Sequence, residues 1–136
     1  MDRSTYVALA RRASDLVDDA RYPEAIALFE EILAGELPDF DKGITWVNIA
    51  TVRDKQGDTA AALDCLDTAL AFEQGAGNCF IAQHRAAYLS KLGRHAESAA
   101  AYRALLERTD LRVEDAEVFR ANLGTLERLQ RERSAP

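Results

Sequence analysis

One short pattern recurs three times along this chain at nearly fixed spacing. Ala20-Arg21-Tyr22-Pro23-Glu24-Ala25-Ile26-Ala27-Leu28-Phe29, Gly57-Asp58-Thr59-Ala60-Ala61-Ala62-Leu63-Asp64-Cys65-Leu66 and Gly93-Arg94-His95-Ala96-Glu97-Ser98-Ala99-Ala100-Ala101-Tyr102 each open on a small turn residue. Each then places a small residue (Ala25, Ala62, Ser98) four before a large one (Phe29, Leu66, Tyr102), with a period of 37 and then 36 residues. A four-residue step keeps both side chains on one helical face. Upstream of each segment lies a second helical stripe: Tyr6, Leu9, Ala13 and Leu16, then Trp46, Ile49 and Ala50, then Ala82, Ala86 and Leu89. The repeating unit is therefore predicted to be a helical hairpin. A lone hairpin cannot bury its own apolar face, whereas stacked hairpins share a continuous core, so a period of this length limits the fold more than any other feature.

The ends of the predicted helices carry matching signals. Pro23 suits a first helical turn, where its missing N–H is not needed, and Asp58 after Gly57 is a good N-cap. The longer segments Gly35–Lys42 and Gln74–Asn78 contain Gly, Pro and Asn and are predicted to join one hairpin to the next. From about Val113 to Arg133 the chain reads as one further helix, with Glu114 and Asp115 in its first turn, Arg128, Arg131 and Arg133 in its last, and a stripe of Val118, Leu123, Leu126 and Leu129. Its charged outer face suits a terminal cap. The predicted layout is one domain over residues 1–133, with hairpins at about 3–35, 40–73 and 78–109, a capping helix at about 112–132 and a tail at 134–136. Ala, the strongest helix former, supplies 25 of the 136 residues, which fits an all-α chain.

Charge and motif content narrow the function. Lys and Arg number 17 against 23 Asp and Glu, a net charge of −6 that weighs against nucleic acid and anionic membrane surfaces. The acidity is greatest in the N-terminal third. No uncharged stretch reaches 18 residues, and the two cysteines, Cys65 and Cys79, form no CxxC pair, so the expectation is a cytoplasmic protein with reduced thiols. His84 and His95 lack a partner at zinc spacing, and no GxSxG, HExxH, GxGxxG or P-loop occurs. Recognition without chemistry, and without metal or cofactor, is expected. Asp39 and Asp41 read as helix-capping acids, since a Ca²⁺ loop needs more oxygen ligands at set spacing.

These residues resemble the tetratricopeptide repeat family, whose hairpin carries a W-x2-L-G-x2-Y…A-x3-F…P pattern. Trp46-Val47-Asn48-Ile49-Ala50, Gly57, Ala62, Leu66 and Ala69 match best. Leu9, Ala13, Leu16, Tyr22, Ala25, Phe29 and Pro38 match in the first unit, and Ala82, Ala86, Leu89, Gly93, Ser98 and Tyr102 in the third. Leu123-Gly124 resembles the start of a fourth. Arg12, Arg53 and Arg85 depart from the pattern, and the period exceeds the family's roughly 34 residues. The resemblance implies a right-handed α-solenoid of three hairpins plus the C-terminal cap. It also implies a concave groove lined by Val7, Ala10, Ser14, Val17 and Asp18; by Ile44, Val47, Asn48, Thr51, Asp54 and Lys55; and by Phe80, Gln83, Ala87, Ser90 and Lys91. Such a lining, with seven apolar and four charged side chains among sixteen, suits a peptide or amphipathic helix of another protein. A clamp for a C-terminal carboxylate is disfavoured, because among Ala10, Ser14, Asn48, Phe80 and His84 only Asn48 fits one. Phe80 reads equally as a groove anchor or a packed helix-start residue, and Trp46 as packing between hairpins. A structural module that self-associates into a homo-oligomer is the alternative function.

Overall fold

Chain reversal is set by three left-handed backbone positions. The computed structural model describes residues 1–73 and 78–134, so Gln74–Gly77 of the predicted second connection and the last two residues of the predicted tail lie outside the described residues. All seven described elements are α-helices. Helix α1 (Arg3–Asp18) is joined to α2 (Tyr22–Ala34), α3 (Asp39–Lys55) to α4 (Thr59–Leu70), and α5 (Phe80–Lys91) to α6 (His95–Leu106), each by three residues; α7 (Val113–Ser134) follows. The middle residue of each three-residue turn has positive φ: Ala20 at 59°, Gly57 at 82° and Gly93 at 80°.

The hydrogen bonds of the three turns are the same. Ala20 N–H donates to the Val17 carbonyl and Arg21 N–H to Leu16; Gly57 to Asp54 and Asp58 to Arg53; Gly93 to Ser90 and Arg94 to Leu89, all at 2.8–2.9 Å. This is the Schellman arrangement, which satisfies the last carbonyls of a helix through a left-handed residue. No atom lies within 4 Å of where a Cβ would stand at Gly57 or Gly93, so backbone conformation alone favours glycine there. Ala20 bears the penalty of that conformation, roughly 1–2 kcal/mol. The next residue starts the second helix in one of two ways. Asp58 accepts a 3.0 Å hydrogen bond from the Ala61 N–H, as its sequence predicts. Arg21 and Arg94 instead grip Glu24 and Glu97, three residues on, each with two guanidinium N–H groups. Pro23 occupies the first turn of α2.

The chain divides into two compact units, Met1–Glu73 and Gln74–Pro136. In the first, α1 packs on α2, α2 on α3 and α3 on α4; in the second, α5 packs on α6 and α6 on α7. The small positions Ala25, Ala62 and Ser98 and the large positions Phe29, Leu66 and Tyr102 are all buried. Ser98 shows how closely two helices approach at such a position: its Oγ donates to the Ala86 carbonyl at 2.7 Å, and Ala86 is itself fully buried. The second unit's core gathers Cys79, Ala86, Ala99, Tyr102, Leu105, Phe119 and Leu126, with the Tyr102 and Phe119 rings tilted at 5.9 Å.

Two sequence expectations are corrected. The buried face of α7 is Ala116, Phe119 and Leu126 with Leu123 partly buried, whereas Val118 is exposed. Helical geometry explains this: 119, 123 and 126 step by four and three, while 118 and 123 are five apart and point apart. Asp39 and Asp41 are not caps, because Pro38 holds the N-cap position of α3 without a side-chain bond. Asp41 is instead buried, and its Oδ2 lies 3.0 Å from Arg3 Nη1 of α1. The Arg3 guanidinium also lies 5.1 Å from the Tyr6 ring centroid. Among the described residues no helix is long and apolar enough to cross a membrane.

Candidate functional site

On α3, Asn48 and Thr51 stand three residues apart and so share a face. The Thr51 hydroxyl donates to the Val47 carbonyl one turn back, at 3.1 Å, which fixes its rotamer. Both side chains border a depression of about 140 Å³ completed by Ala10, Ser14 and Val17 of α1, Phe29 of α2 and Val52 of α3. Phe29 and Val52 are buried and form an apolar floor. Asn48 is half-buried, and its carboxamide has no side-chain hydrogen bond to any described residue. An unpaired carboxamide beside an apolar floor can receive an amide and an aliphatic group together, because it offers one acceptor and two donors.

The second unit contains the same arrangement. A depression of about 260 Å³ is lined by Ala87 and Ser90 of α5, Tyr102 of α6, and Asn122, Thr125, Leu126 and Leu129 of α7. Ser14, Val17 and Phe29 precede Ala87, Ser90 and Tyr102 by 73 residues, as Ala20 precedes Gly93. Asn48, Thr51 and Val52 precede Asn122, Thr125 and Leu126 by 74. Even the threonine rotamer repeats, with the Thr125 hydroxyl donating to Ala121 at 3.1 Å. One contact differs. Asn122 Nδ2 donates to the Tyr102 hydroxyl at 3.3 Å, and the residue in the corresponding place of the first unit, Phe29, has no hydroxyl. Burial raises the Tyr102 phenol above its ordinary value, so it stays protonated at neutral pH.

The predicted groove residues are distributed as follows. Ala10, Ser14, Asn48 and Thr51, with Val17, meet around the first depression. Ala87, with Ser90, borders the second. Val47 is 5% exposed and belongs to the core of the first unit. Ile44 and Gln83 are half-buried, and Lys55 and Lys91 are exposed; the Lys91 ammonium lies 5.9 Å from the Tyr88 ring centroid. Val7 and Phe80, also 73 residues apart, are 41% and 50% exposed. Phe80 tilts against His84 at 6.3 Å, and burial lowers the His84 imidazole below its ordinary value, which keeps it neutral. Trp46 is half-buried.

Sequence reasoning did not bring Tyr102, Asn122, Thr125 or Leu129 into a site. The signal was present in Asn48-Ile49-Ala50-Thr51 and Asn122-Leu123-Gly124-Thr125, two segments with the same polar residues at the same spacing. A third cavity, of about 330 Å³, is bordered by Arg94, His95, Glu97, Gln130 and Arg133, but Arg94 and Glu97 there are held by each other. Among the described residues no group of three or more His, Cys, Asp or Glu side chains could hold a metal ion. Burial raises the Cys65 thiol, which disfavours the reactive thiolate. Compared with known proteins, the chain matches no family model, and no curated protein matches it significantly.

Proposed function

We propose that this chain is a non-catalytic protein-binding module whose hairpins form a right-handed solenoid of tetratricopeptide type capped by α7. In this reading it captures a peptide or amphipathic helix of a partner protein. The three Schellman turns with matching hydrogen bonds and the small, buried positions where helices approach support the repeat part of the reading. The observation that carries the binding part is the first depression: four predicted groove residues from two helices, Ala10, Ser14, Asn48 and Thr51, surround an apolar floor beside an unpaired carboxamide. Binding by shape and hydrogen bonds, rather than by a charged clamp, fits a lining without a basic side chain.

Selection of random peptides displayed on phage against the full chain tests this. Selected peptides are expected to lose at least about tenfold in affinity to Thr51→Arg, an exposed position whose substitution fills the depression without disturbing the core. Peptides that bind Thr51→Arg and the wild type equally, or a selection that enriches nothing, would overturn the reading. The exposed apolar side chains Val7, Phe40 and Phe80 favour self-association as the second reading. A molar mass by light scattering that stays monomeric across a concentration series excludes it.

A further inference from the structure

Among the serines and threonines of the chain only Ser14 has arginine both two and three residues before it, in Arg11-Arg12-Ala13-Ser14. Arg11, Arg12 and Ser14 are all exposed, and none of their side chains has a hydrogen bond or ion pair to a described residue. Six other arginines bind a carboxylate, and the hydroxyls of Thr45, Thr51, Thr68, Thr125 and Ser98 are committed to backbone carbonyls. Two uncommitted guanidinium groups beside a free hydroxyl form the charge pattern by which many protein kinases select a substrate, through carboxylates in the groove that holds it. Such a groove takes an extended chain, so α1 has to open around Ser14. Its opening is cheap. Of its 16 residues only Tyr6 and Ala13 are buried, fewer than in any other helix of the first unit. Its last turn carries Asp15 and Asp18 and no base, against the helix dipole, and the turn that follows holds Ala20 in the left-handed conformation.

We propose that Ser14 is a phosphorylation site for a protein kinase that selects arginine at these two positions, reached by local opening of α1, and that the phosphate closes the first depression. In the transfer the Ser14 Oγ attacks the γ-phosphorus of a nucleoside triphosphate, and the new O–P bond replaces the bond to the bridging oxygen. The hydroxyl proton passes to a carboxylate of the kinase, and the nucleoside diphosphate leaves. Ser14 stands on the rim of the depression, above the apolar floor of Phe29 and Val52. A phosphate adds about −1.5 to −2 charges and three strong acceptors there, which an aliphatic occupant cannot satisfy. Arg11, three residues back, and Asp18, four residues on, share its helical face and act on it with opposite sign. The modification itself needs no partner polypeptide; its consequence for binding rests on the proposed function.

The test incubates the full chain with Mg²⁺, ATP and the catalytic subunit of cyclic-AMP-dependent protein kinase, whose substrates carry this arginine pair, and maps the product by mass spectrometry. Phosphate is expected on Ser14, and Arg11→Gln combined with Arg12→Gln should slow its arrival at least about tenfold while circular dichroism shows the fold intact. Ala20→Gly, which relieves the strained turn after α1, should slow it about fivefold. Gly93→Ala, which strains the corresponding turn of the second unit, should leave the rate unchanged, so that opening of α1 is told apart from unfolding of the whole chain. No phosphate on Ser14, or a rate indifferent to the two arginines, would overturn the site. A rate that Ala20→Gly leaves alone or that Gly93→Ala raises would overturn local opening. Displayed peptides selected against the unmodified chain should bind the phosphorylated chain at least about tenfold more weakly. Equal binding would overturn the closing of the depression and leave the modification and the proposed function standing. A selection that enriches nothing would remove the proposed function and the closing with it, and leave the modification standing.

Discussion

The first three helices of the first compact unit, α1 to α3, follow the same plan as α5 to α7 of the second and fill it differently. At one pair of corresponding positions the first unit has Tyr6 and Thr45, and the second has Cys79 and Phe119; all four are buried. Bulk has moved from the first helix to the third, so the site keeps its filling while changing its chemistry. The first unit gains polar ties. Arg3 reaches both Asp41 and the Tyr6 ring, and the Thr45 hydroxyl donates to the Asp41 carbonyl at 2.7 Å. Burial, with Asp41 adding to it, raises the Tyr6 phenol. The second unit has an aromatic pair, and its Asp115 Oδ2 stands 3.4 Å from Arg112, three residues earlier on the chain, and 3.9 Å from the Cys79 thiol. A repeat therefore conserves volume and backbone path, and leaves polarity free to differ between copies.

The largest effect is expected where that bulk now sits. Phe119→Ala removes a fully buried ring and should lower stability by about 3–5 kcal/mol in urea denaturation, while Thr45→Ala at the corresponding position should lose only about 1 kcal/mol. Comparable losses at the two positions would break the comparison. A double-mutant cycle sharpens it. Thr45→Phe alone overpacks the first unit by about 1–3 kcal/mol, and adding Tyr6→Cys should recover at least about 1 kcal/mol of that loss. Strictly additive effects would show that the two positions do not share one volume.

The turns provide a smaller and more uniform test. Gly57→Ala and Gly93→Ala should each lower stability by about 1 kcal/mol, and Ala20→Gly should raise it by about the same amount, since the left-handed penalty for alanine exceeds the chain entropy that glycine adds to the unfolded state. Thermal denaturation of the three variants reads this directly.

The smallest effect belongs to the ion pair that opens α6. Hydrogen bonding from Arg94 holds the Glu97 carboxyl below its ordinary value near 4.5. A carboxyl lowered on folding adds stability that is present above its unfolded pKa and is lost as pH falls through the folded one. Below about pH 4.5 the wild type should therefore lose slightly more thermal stability than Glu97→Gln. Both side chains of the pair are exposed to solvent, so the difference should shrink further in high salt.

Local features made most of this fold readable from the chain alone. Helix starts and stops depend on a few adjacent residues, and Gly57-Asp58, Gly93-Arg94 and Pro23 mark them without reference to the rest of the molecule. Positions that depend on which neighbour a helix meets were less legible. Val47, in the expected groove lining, is in the core, and the stripe of α7 turns on Phe119 rather than Val118. Four members of the first depression, Ala10, Ser14, Asn48 and Thr51, are legible only through the resemblance to the tetratricopeptide repeat family, which implies a groove-facing place for each; periodicity alone does not single them out. The second depression is less legible, because its register runs through α7, where Leu123-Gly124 resembles the start of a fourth repeat but the expected lining includes no residue, and because a hydrogen bond such as Asn122 to Tyr102 leaves no periodic trace.

The difference between the copies is tested most directly without any ligand, by the exchange of the side-chain amide protons of Asn48 and Asn122 in the free protein, read by NMR. If Tyr102 holds Asn122 and nothing holds Asn48, the Asn122 protons should exchange more slowly by about tenfold, and Tyr102→Phe should bring the two rates together. Equal rates in the wild type, or a ratio that Tyr102→Phe leaves unchanged, would contradict the Asn122–Tyr102 hydrogen bond as the point where the two copies differ.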